Sequence, residues 1–224
     1  MVADRVKDSL STPEGATDFA LNSIQSPVGG AVGALDLIRL SKQNLGKLVT
    51  PEHARFNLHA GPGLYGGLDD ALVRKMYLQN EPWWVGGKTA TTAKGKNVVK
   101  NLVKGNDLSE AEQEIARNEL GFGGLRQYLI SLENLKKPLL DVTEPAGRLE
   151  FKNLFGVRPP VDSVSSEIFR TNLPDILSAH PNIFDEIPYS GLIHPSPGSF
   201  KKGRDVVVYE RTPLDVLDSK LLVP

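Results

Sequence analysis

Short apolar runs and helix-spaced stripes alternate along this chain. Leu35-Asp36-Leu37-Ile38-Arg39-Leu40 is a brief apolar run carrying one arginine and predicts a strand or strand end. Gly61-Pro62-Gly63 is a turn signal, and Leu64-Tyr65-Gly66 after it predicts a second short strand. From Leu68 to Asn80 the spacing turns helical: Leu68, Leu72 and Met76 make a stripe, Asp69 and Asp70 suit the positive end, and Pro82 stops it. Asp107-Leu108-Ser109-Glu110 opens another helix, which Gly121-Phe122-Gly123-Gly124 closes. Strands are predicted at 128–132, 139–142, 189–193 and 205–209, and a short helix at 149–155. The stretch 161–177 has loosely helical spacing, broken at Pro174. There is no internal repeat and no heptad.

Strands mixed with helices predict a chain of mixed α and β structure. Residues 1–34 read as an N-terminal accessory or linker segment, with a helix start at Thr12-Pro13-Glu14. Residues 35–224 then form the main α+β domain.

Composition narrows the picture. The chain has 224 residues, 40% hydrophobic and 24% charged, with formal net charge -1. A near-neutral balance argues against nucleic acid and against an acidic membrane as partner. Cysteine is absent, which removes disulfides, thiolate nucleophiles and Cys-ligated zinc. No run reaches the roughly 18 apolar residues of a membrane span. Met1 to Leu10 carries charges of both signs and does not read as a signal peptide. The predicted place of action is the cytoplasm, of a target cell if the protein is secreted.

Standard motifs are missing. His53, His59, His180 and His194 show no HExxH or HxH spacing, so no metal site is predicted. There is no GxxxxGK[ST], no helix-opening GxGxxG and no GxSxG. Lys88, Lys94, Lys96, Lys100 and Lys104 form the one basic run, read as a solvated loop or, more sharply, as a phosphate-contacting one.

What remains is an ordered series: Arg39 in an apolar run; Arg55-Phe56-Asn57 before Gly-Pro-Gly; Tyr65; a helix; two strands; then Leu192-Ile193-His194-Pro195-Ser196, Gly203 and Val206-Val207-Val208. Arginine grips a pyrophosphate with paired charged hydrogen bonds. Tyrosine offers a flat face and a hydroxyl. A serine after proline at a strand end is held in place to exchange one hydrogen bond.

In this order the series resembles the RES domain, over roughly residues 35–222 with an insertion near 82–126. The resemblance implies an ADP-ribosyltransferase-like fold of small bent mixed sheets with flanking helices. It implies a bacterial toxin or effector domain that consumes NAD as substrate, by hydrolysis or by ADP-ribose transfer. It also implies a cognate immunity or antitoxin protein, and a larger delivery protein is a further expected partner. Arg39, Tyr65 and Ser196 match the catalytic positions, and Arg39, Arg55, Tyr65 and Ser196 the NAD-contacting ones. One departure stands out. The family carries a glutamate on the helix after the tyrosine strand, and this chain reads Ala71-Leu72-Val73-Arg74. Glu81, Glu110 or Glu114 substitutes for it, or the activity differs, or the register is shifted. Two other classes stay open: a ribonuclease-type toxin using His59 or His194 with Lys88, and a non-enzymatic structural or virion protein.

Overall fold

A computed structural model of the chain describes residues 35–50, 63–156, 159, 186–195 and 203–224. The accessory segment 1–34, the stretch 161–177, Arg55 and Ser196 lie outside the described residues.

Among the described residues, eight strands form one mixed sheet with helices, an α+β architecture. The strands are β1 (Asp36–Ser41), β2 (Leu48–Val49), β3 (Leu64–Gly67), β4 (Arg126–Ser131), β5 (Leu139–Asp141), β6 (Gly191–Pro195), β7 (Arg204–Val208) and β8 (Leu214–Leu221). Their order is β2-β8-β4-β1-β3-β7-β6-β5, one continuous series in place of the separate small sheets expected. Only β5 and β6 pair in parallel among the described strands. A parallel pair needs a crossover, and α4 (Pro145–Phe155) lies in it. Pro145 opens α4 and Gly156 ends it at φ 68°, a left-handed position that glycine occupies without strain.

The helical layer is built between β3 and β4. Helix α1 (Asp70–Lys75) starts on Asp69, whose carboxylate accepts from Leu72 N, and passes into a wider turn at Met76–Asn80. Of the predicted stripe Met76 is buried and Leu72 only partly so, and Val73 beside it takes the buried place. Helix α2 (Ala93–Lys104) replaces the loop expected for the lysine-rich run. Thr92 Oγ1 caps it on Gly95 N at 3.0 Å, and Val98, Val99 and Leu102 make its buried stripe. Its lysines lie on the exposed face. Helix α3 (Glu110–Asn118) opens with a capping box between Ser109 and Glu112, two residues beyond the predicted cap at Asp107.

Three apolar clusters hold these parts together. Ile38 and Leu40 of β1 pack with Val73, Leu78, Val99, Ala116 and Phe122, so residues 82–126 share a core with the sheet. On the opposite face, Leu37, Leu64, Tyr128, Ile130, Ile193 and Val206 belong to a cluster drawn only from strands and loops. Phe151 of α4 packs over Leu140, Leu192 and Val207. Strands β1 and β7 thus feed alternate residues to two cores, which is why they read as continuous apolar runs.

Candidate functional site

The sheet has an uneven joint at its centre. Strand β1 runs in full register with β4, from Asp36↔Ser131 to Ser41↔Arg126. Strand β3 runs in register with β7, from Leu64↔Val208 to Gly67↔Asp205. Between them, β1 and β3 are registered at a single position, Ile38↔Gly67. Gly66 beside it has no room for a side chain, because a Cβ would collide with the Ile38 carbonyl and the Leu37 side chain. The halves of the sheet touch closely there and give no further paired register toward Arg39 and Tyr65.

Arg39 fills that gap. Its Nη1 donates to the Tyr65 carbonyl oxygen at 2.8 Å, supplying the main-chain bond that a neighbouring strand would otherwise make. Its Nε is buried and has no hydrogen-bond partner among the described residues. Burial pulls the Arg39 guanidinium below its ordinary value, and the nearby Tyr77 and Tyr65 hydroxyls pull it back up. A guanidinium stays charged in proteins, so this is a desolvated cation with an unused donor.

Tyrosines surround it. Tyr65 packs with the apolar cluster under α4, as does Tyr209. The Tyr209 phenol is held well above its ordinary range by burial, then by the proximity and hydrogen bonding of Tyr65. Tyr77, in the turn after α1, packs against the helical-layer core.

A second polar group lies on the same strands. Gly67 faces Asp205 across β3 and β7, and Asp205 faces His194 across β7 and β6. Side chains two apart share a face, so Asp205 lies on the side of Val207 and of Tyr65. Asp205 is 8% exposed and His194 4%. His194 Nδ1 lies 3.0 Å from the Pro195 carbonyl oxygen. A Cβ on Gly67 would meet Val73 Cγ2 at 2.6 Å and Asp205 Oδ1 at 3.8 Å, so α1 closes down beside this pair.

The structure therefore brings Arg39 and Tyr65 into direct contact. Ser196 follows Pro195, the last residue of β6, which faces Arg204 of β7. Arg204 Nη1 lies 3.8 Å from Asp141 Oδ2. Sequence order, strand order and these contacts group β1, β3, β7 and β6 around one part of the sheet.

The candidates for the missing acid are placed elsewhere. Arg74 Nε donates to Asp70 Oδ1 at 2.7 Å, and its Nη2 pairs with Asp70 Oδ2, an i, i+4 bridge along α1. Arg74 also lies against Gly105 at the end of α2, so its role is to brace two helices. Glu81 accepts from Trp84 Nε1 at 2.5 Å. Glu110 and Glu114 are exposed on α3. For the ribonuclease reading, Lys88 is exposed beside the helical layer, His194 is buried in β6, and His59 lies outside the described residues.

Asp205, Tyr77 and Tyr209 were not singled out by sequence. Asp205 had a signal, since it opens the apolar run Val206-Val207-Val208, where an acid is costly to bury. Tyr77 had none, because its relation to Arg39 depends on how the turn after α1 packs.

The fold and site define an α+β protein with a half-buried cation at a joint between two halves of its sheet. Comparison with known proteins finds no matching family model, no matching curated protein and no matching solved structure. No helix among the described residues is long and apolar enough to cross a membrane. Among the same residues no group of three or more His, Asp or Glu is arranged to hold a metal ion.

Proposed function

We propose that this chain binds NAD at the β1–β3 joint and cleaves its nicotinamide–ribose bond, as an NAD-consuming toxin or effector domain of ADP-ribosyltransferase-like fold. The observation that carries the reading is the half-buried Arg39 guanidinium, in contact with Tyr65 and holding a buried Nε–H without a partner among the described residues. A buried cation with an unused donor is costly unless an anion completes it. A pyrophosphate supplies that charge and suits the planar geometry of arginine.

In this reading Arg39 holds the pyrophosphate, and Tyr65 presents a ring and hydroxyl to the ribose or nicotinamide. Ser196, directly after β6, donates or accepts the remaining hydrogen bond, and Arg55 is a further phosphate contact. Asp205 takes the place of the carboxylate that Arg74 cannot supply. When the glycosidic bond breaks, its electron pair leaves with the nicotinamide nitrogen and positive charge develops on the ribose carbon. A buried carboxylate beside that carbon stabilises the cation more in the transition state than in the ground state. Water or an acceptor nucleophile then bonds to the same carbon and gives up its proton. An immunity protein that covers this joint is the matching partner.

The experiment is nicotinamide release from NAD by purified protein, paired with NAD-dependent thermal stabilisation. Release that falls at least about a hundredfold in Asp205→Asn supports the assignment of the acid. Neither release nor stabilisation by NAD sinks the reading.

A further inference from the structure

Strand β8 leaves most of one edge open. Its inner side pairs with β4 from Ile130↔Val216 to Arg126↔Leu221. On its outer side, β2 reaches only Leu214 and Asp215, and Val216 N donates to the Lys47 carbonyl at 2.9 Å. No described strand lies beyond Leu217, and residues 217–221 are all exposed. Leu217 is 56% exposed and Leu221 40%. An open edge with exposed leucines is a template for another strand.

The sequence of this edge names the strand that fits. Leu217-Asp218-Ser219-Lys220-Leu221 is complementary to itself when reversed. In an antiparallel pair centred on Ser219, Leu217 of one copy faces Leu221 of the other. Asp218 faces Lys220, and this match occurs twice about the two-fold axis. Apolar and opposite-charge pairs are the favourable cross-strand combinations. The backbone has the right phase as well. Leu222 N donates to the Leu125 carbonyl, so alternate residues Lys220 and Asp218 turn their main-chain groups to β4 and Ser219 turns its own to the open edge, where its N–H donates to Asp218 Oδ1 at 2.8 Å, a bond that a second strand's carbonyl replaces. That places Ser219 with its counterpart in a hydrogen-bonded pair. It leaves Asp218 and Lys220 in the closer, non-bonded pairs, where side chains approach most.

We propose that two copies of this chain associate through β8, Leu217–Leu221 against itself in antiparallel register, joining two sheets into one. This is an isologous contact, in which one patch serves both partners. The bond from Lys220 Nζ to Asp107 Oδ1, at 3.2 Å, is exposed and is shared with or yields to Asp218 of the second copy. The area is small, so the dimer is weak and depends on concentration.

Sedimentation velocity across a concentration series tests it. The expected result is a shift from the 24.4 kDa monomer toward twice that mass as concentration rises. Asp218→Lys sets like charges opposite each other twice and weakens association by at least about tenfold. Adding Lys220→Asp to that variant restores the charge match and the dimer. Ser219→Pro removes the outward N–H at an edge position where proline is tolerated, so it gives a monomer with an unchanged circular dichroism spectrum. A wild-type monomer at every concentration, which leaves the edge to a different polypeptide, overturns the proposal. So does a dimer that Ser219→Pro leaves intact, or a double charge swap that fails to restore association.

Discussion

Two polar centres in this sheet make an instructive pair, one around Arg39 and one around Glu210. The Glu210 carboxylate accepts from Ser190 Oγ, from Thr212 Oγ1 and from Lys136 N at 3.2 and 3.3 Å. Ser190 is itself tied in, since its N donates to the Pro138 carbonyl and its Oγ accepts from Lys137 N. The donors come from 2, 20 and 74 residues away in sequence, and the result is a clamp joining the start of β5 to the segment after β7. Arg39 has one described partner, the Tyr65 carbonyl, and a buried Nε without any. Satisfied buried groups add stability, whereas an unsatisfied buried charge subtracts it and is retained where a ligand completes it. The Glu210 centre is structure, and the Arg39 centre is where chemistry is proposed.

The sharpest way to break this contrast is at Arg39. Replacing it with methionine keeps bulk and removes the desolvated charge. We expect NAD cleavage to fall at least about a hundredfold while the melting temperature holds or rises. A large loss of stability instead would make Arg39 another clamp.

The reverse is expected at Glu210. Glu210→Ala removes the acceptor for three donors and costs about 2 kcal/mol in urea unfolding, with the remaining folded protein still responding to NAD. Its pH dependence sharpens the point. Burial alone would raise the Glu210 carboxyl, but the hydrogen bonds of Ser190, Thr212 and Lys136 outweigh it and hold the group below its ordinary value. A carboxyl lowered on folding adds stability above its unfolded value, about 4.3, and loses it as pH falls through the folded value. The stability gap between wild type and Glu210→Gln should therefore be full at neutral pH and close on acidification. A gap constant with pH contradicts the clamp.

The smallest effect is expected at the cap of α3, in the helical layer. Ser109→Ala removes the α3 cap and costs about 1 kcal/mol. Thermal melts of this variant should show the loss with NAD cleavage unchanged.

Much of the sheet is legible in the sequence because its strands feed two cores. Val206-Val207-Val208 and Leu37-Ile38 read as strands for that reason, and β1, β3, β4, β5, β6 and β7 all appear within a few residues of their predicted positions. Strand β8 does not, because its outer edge is open and only Leu214 is buried, so Asp215 to Leu221 reads as polar chain. Strand β2 has two residues and no pattern to show. Helix α2 was hidden by its lysines, which mask the stripe of Val98, Val99 and Leu102. At the site, Arg39 announced itself as a charge within an apolar run. Its contact with Tyr65 links residues 26 apart and follows from the uneven joint of β1 and β3, which no local pattern encodes. Arg74, read as the place of a lost acid, proves to be bound to Asp70, four residues earlier on its own helix.

The most direct test of the account is nicotinamide release measured side by side for wild type, Arg39→Met and Glu210→Ala, each at a temperature where it is fully folded. The account predicts turnover by wild type, turnover by Glu210→Ala within a few-fold of it, and a loss of at least about a hundredfold in Arg39→Met. Equal turnover by wild type and Arg39→Met, or none by wild type, would contradict it.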